Sequence, residues 1–85
     1  MNNNLDKQIE LVLNEVDEII NLQKPIIEKI IIYHSSDEDE EPNPSYVDSY
    51  LFSYSNKLYN SILKYKLEKL IGVEYEKYYD TFKKN

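Results

Sequence analysis

The chain has 85 residues, with sixteen acids against ten bases and a formal net charge of −6. It has no cysteine, which excludes disulfides and thiolate metal sites and fits a reducing compartment. Every base is a lysine, so the arginines that commonly read base edges are missing and the overall charge opposes a phosphate backbone.

A chain of this length makes one domain with a thin core, worth about 3–5 kcal/mol without further staples. Its charge is unevenly placed. Residues 1–42 hold eleven acids and three lysines, whereas residues 43–85 hold five acids and seven lysines. The negative first half suits a basic partner protein, or a mimic of the nucleic-acid backbone, rather than nucleic acid itself. The start of the chain, Met1-Asn2-Asn3-Asn4-Leu5-Asp6, has no basic leader, and no apolar run reaches 18 residues. No membrane contact is therefore expected, and a cytoplasmic location in a bacterial or host cell is.

In chain order, Leu5, Ile9, Val12, Val16 and Ile19 are spaced 4, 3, 4 and 3. That is a heptad seam, and it predicts a helix over about 4–23, broadened by Leu13, Ile20 and Leu22. Asn3 or Asn4 can cap it, with Asp6 in the dipole-favoured first turn. Pro25 interrupts, yet Ile26, Ile30 and Tyr33 keep the phase. Either a second helix starts there, over about 25–34, or one long helix kinks. The β-branched run at 26–32 could also form a strand, but the pairs 26/27 and 30/31 favour the helical period.

An acidic loop is predicted over 35–43. Asn43 with Pro44 behind it reads as a helix start, and the next helix is expected over about 44–71. Its apolar face is read through Val47, Leu51, Tyr54, Leu58, Ile62 and Tyr65, with a second line through Tyr50, Tyr59, Leu63, Leu67 and Leu70. Gly72 is a natural C-terminal stop. A last helix over about 74–83 offers Tyr75, Tyr78, Tyr79 and Phe82 for packing. The expected architecture is all-α: an antiparallel helical hairpin or a small three-to-four-helix bundle with the acidic loop at one tip.

Five consecutive acids occupy that loop: Asp37, Glu38, Asp39, Glu40 and Glu41. A like-charged block repels itself and stays solvated, and it can steer a basic partner. It lacks the alternation and central glycine of a calcium loop. Tyr33, Tyr46 and Tyr50 stand at its shoulders, and tyrosine gives rigid contact area with a polar tip. These eight residues are the candidate partner-binding set. His34 is the only histidine, so no zinc site is expected. With no glycine-rich phosphate loop and no nucleophile–base arrangement, neither a cofactor nor catalysis is expected.

The stretch Ile32-Tyr33-His34-Ser35-Ser36-Asp37-Glu38-Asp39-Glu40-Glu41-Pro42 resembles the toxin-binding region of colicin-type nuclease immunity proteins. The resemblance covers about a dozen positions. That family pairs two tyrosines before a proline, where this chain has Tyr33 followed by His34. The resemblance implies a small acidic helical protein that neutralises a basic nuclease, with Tyr33, Asp37 and the following acids in contact. The expected function is thus a protein-binding inhibitor, of immunity or phage and viral anti-defence type. Its partner would be a basic nuclease, toxin or defence effector, engaged in part by nucleic-acid mimicry. The alternative is a structural dimerisation or adaptor module using the seam Leu5, Ile9, Val12, Val16, Ile19 and Ile26, in which case a homodimer is expected.

Overall fold

The computed structural model describes residues 3–36, 40 and 42–85. They form α1 (Asn3–Ser35), α2 (Pro44–Ile71), a single 3-10 turn (Gly72–Glu74) and α3 (Tyr75–Phe82). The chain is all-α, and there is no strand among the described residues. α1 and α2 pack on each other as a hairpin in a rod of 59 × 19 × 18 Å. A 33-residue helix is about 50 Å long, so α1 nearly spans the molecule.

Two expectations from sequence are corrected. The first concerns the number of helices: of the two alternatives at Pro25, the single long helix holds. α1 runs through Pro25, so 4–23 and 25–34 are one helix and the count falls below the larger bundles expected. An internal proline removes one hydrogen bond and crowds the carbonyl of the residue four back, here Asn21. Asn21, Lys24, Pro25 and Ile26 are all exposed, so that carbonyl is on the wet side of the helix, and Ile27 and Ile31 on the inner side keep their packing. The second concerns the packed face of α2. Its buried residues are Val47, Ser55, Tyr59, Leu63 and Leu67, while Tyr54 and Tyr65 of the first expected line are exposed. Contact from two sides explains the shift. α1 covers one flank and α3 the other, and Tyr59, Leu63 and Leu67 lie buried between them.

The ends of α2 form as their residues dictate. Asn43 Oδ1 accepts from Ser45 N–H at 2.8 Å, with Pro44 at the first helical position. Gly72 ends the helix at φ 68°, a region that disfavours side chains, and its N–H bonds back to the Glu68 carbonyl.

From Gly72 the chain turns back, and α3 runs antiparallel along the C-terminal half of α2. Eight residues are too few for a helix to hold alone. Tyr75, Tyr78, Tyr79 and Phe82 dock on the core, and the tail after α3 is fastened to α2. Asn60 bonds both the N–H and the carbonyl of Lys84, and Asn56 donates to the Asn85 backbone oxygen at 3.1 Å. The Lys84 ammonium lies 4.2 Å from the Tyr59 ring centre and 3.7 Å from Asp17 of α1. Lys66 of α2 and Glu15 of α1 pair at 2.9 Å, a partly exposed bridge that sets register more than it stabilises.

The core therefore lies at one end. Ile9, Val16 and Ile20 of α1 meet Tyr59, Leu63 and Leu67 of α2, and α3 covers them. Toward the loop only two helices remain, and Ile31 and Val47 are the buried apolar residues there.

Candidate partner-binding site

The two-helix end carries Tyr33, Tyr46 and Tyr50 of the set expected from sequence. Tyr46, Tyr50 and Tyr54 recur every four residues and so share one face of α2. Their rings form a row, 4.6 Å apart and tilted 54° for Tyr46–Tyr50, then 5.8 Å and 31° for Tyr50–Tyr54. Such offset aromatic pairs add to what area burial alone gives. The Lys57 ammonium sits 5.8 Å from the Tyr54 ring centre and closes the row away from the loop.

Across from the tyrosines, α1 presents Ile27, Ile30, Ile31 and, nearest the loop, His34 and Ser35. Together with Leu58 these residues line an open cavity of about 610 Å³. The floor is branched aliphatic and the wall aromatic, which is the composition of an interface centre. Tyr46 is 47 % and Tyr50 39 % exposed, so both rings remain free to be covered.

Tyr33 is placed differently. At 79 % exposure it stands outside the cavity, its ring edge-on to His34 at 5.2 Å. Of the acids, Glu40 is exposed, and Asp37, Glu38, Asp39 and Glu41 lie outside the described residues. Both shoulders of the loop are held. Ser36 Oγ donates to the Ile32 carbonyl at 2.6 Å, and Asn43 caps α2. Chain connectivity alone thus keeps the acidic stretch within a few residues of His34 and Tyr46.

The phenols are not equivalent. The Tyr50 hydroxyl is held above the ordinary tyrosine range, first by its interaction with the Tyr46 side chain, then by desolvation and by Tyr54. It stays neutral at physiological pH and can both donate and accept. Tyr54, Ile27 and Ile30 complete the site without having been assigned to it from sequence. The 46–50–54 repeat was a legible signal for Tyr54. For the isoleucines no local signal existed, because only the packing of two helices without a third leaves Ile30 uncovered.

Among the described residues no three histidine, cysteine, aspartate or glutamate side chains could hold a metal ion, and no helix is long and apolar enough to cross a membrane. What the arrangement offers is contact: apolar area, hydroxyls at its rim and charge beside it. Compared with known proteins, the chain matches no family model, no curated protein and no solved structure.

Proposed function

We propose that this chain is a protein-binding module of inhibitor type, which docks on a basic partner protein through the loop end of its hairpin. The observation that carries the proposal is the exposed row Tyr46–Tyr50–Tyr54 over Ile27 and Ile30, a few residues along the chain from a run of acids. The acids bring a basic surface in and set its register, while the tyrosines and isoleucines exclude water at the centre. A nuclease, toxin or defence effector that handles nucleic acid has the basic surface this chemistry requires, and the carboxylates would occupy the place of its phosphates. Binding, not catalysis, is the role proposed. Of the seam that a structural dimer would use, Ile9 and Val16 are buried in the chain's own core, while Ile26 is exposed. That favours the loop end as the working surface.

Capture from native lysate tests the proposal. The tagged chain is expected to retain a basic protein at low salt and to lose it at about 0.5 M, where exposed charge pairs are screened. Asp37, Asp39 and Glu40 changed together to lysine should abolish capture, and so should Tyr50→Lys, with helicity unchanged in both. Capture that survives both sets of changes would refute the loop end as the docking surface.

A further inference from the structure

α3 covers one part of the groove it lies in and leaves the rest open. Its aromatic residues Tyr75, Tyr78, Tyr79 and Phe82 stand at positions i, i+3, i+4 and i+7, the spacing of one helical face. Tyr78 and Phe82 lie over Ile9 and Leu13 of α1. The cover ends where Lys84 reaches over Tyr59 and Asn56 bonds Asn85. Beyond that point the groove continues toward the loop as an open trough of about 560 Å³, with Ile20 and Lys24 on the α1 side and Leu51, Phe52 and Ser55 on the α2 side. Lys84 and Asn85 also line it, so the open trough and the covered interface are continuous.

One exposed side chain marks this trough as unfinished. Phe52 is 66 % exposed although it lines an apolar groove. Ser55 is 3 % exposed, and its hydroxyl has no hydrogen-bond partner among the described residues. That hydroxyl is already covered by the chain itself and is no part of the open surface. This surface is not the tyrosine row. At about 100° per residue, Phe52 lies about 200° around α2 from Tyr50.

We infer that the open trough is a docking site for an amphipathic helix of a partner protein, laid in line with α3 and carrying aromatic residues at the same i, i+3, i+4, i+7 spacing. α3 is the argument for the occupant, because it shows which segment this groove accepts one step further along. From Asn56 back to Asp48 the α2 wall is about 12 Å long, room for about two helical turns. The flanking charges give the direction. Lys84 stands at the α3 end and Asp48 at the loop end, with Lys24 on the α1 wall on the loop side of Ile20. An occupant with acids in its first turn and bases in its last meets both, and this is the order its own dipole favours. The inference is independent of the loop-end proposal, since it uses the other side of the hairpin.

A displayed library of helical peptides, selected on the full chain, tests it. Selection should enrich aromatic residues at the stated spacing. The enriched peptides should lose at least about tenfold in affinity on Phe52→Lys and keep their affinity on Tyr50→Lys. Phe52 is exposed, so that variant should fold as the parent does, which far-UV circular dichroism checks. Peptides without the aromatic pattern, or peptides that bind Phe52→Lys equally well, overturn the inference. So does a chain that sediments as a dimer and becomes monomeric on Phe52→Lys, because a second copy would then be the occupant.

Discussion

Ser55 and Tyr59 lie one turn apart on α2, and both bury a hydroxyl-bearing side chain, with opposite results. Tyr59 keeps Lys84 over its ring and Asp17 nearby, and burial first and Asp17 second hold its phenol above the ordinary range. A raised phenol favours the folded state while it stays protonated. That contribution is complete below the unfolded value of about 10 and is lost as pH rises through the higher folded value. Thermal unfolding followed from pH 8 to 11.5 should therefore show a steeper alkaline fall in the parent than in Tyr59→Phe. Ser55 has no such support. Leaving a buried hydroxyl unsatisfied costs about 1–3 kcal/mol, and alanine is the better helix former. Ser55→Ala should stabilise the chain by about 1 kcal/mol, raising Tm by about 4–8 °C in a domain of this size. A fall in Tm would mean that the hydroxyl is satisfied in solution.

Among the elements, α1 shows where punctuation misleads. Pro25 read from sequence marks a boundary as naturally as a kink, because the rule concerns one hydrogen bond and one local clash. The outcome is decided by what the far side of the helix holds. Ile20, Ile27 and Ile31 face α2 across the proline, and their packing carries the helix through. Proline in a helix interior costs about 3 kcal/mol relative to alanine, and its stiffening of the unfolded chain returns up to about 1 kcal/mol. Pro25→Ala should thus add about 2 kcal/mol, measured by urea unfolding with an unchanged m-value. No change would show that the proline is accommodated without cost. Asn43-Pro44 and Gly72 were legible because caps are local chemistry, and so was the aromatic face of the last helix. The packed stripe of α2 was not. Two apolar lines compete along it, and only the arrival of α3 decides that Tyr59, Leu63 and Leu67 go inside while Tyr54 and Tyr65 stay out.

At the scale of the molecule, the asymmetry between the two ends organises the rest. Three helices pack the Ile9–Leu63–Leu67 end, and two helices leave Ile30, Tyr46, Tyr50 and Phe52 uncovered near the loop. The acid run and its tyrosines could be read from sequence as a docking surface. The structure unites Tyr46 and Tyr50 with isoleucines of α1 and sets Tyr33 apart. A thin two-helix end opens locally more easily than a packed three-helix end, so its amides should exchange faster in the free chain. Amide hydrogen exchange of the chain alone and bound to the basic partner proposed for it is the most direct measurement of the central claim. The account predicts slowed exchange over 27–35 and 44–58 in the complex, with 62–82 unchanged. Protection gained over 62–82, with 44–58 left as in the free chain, would contradict it.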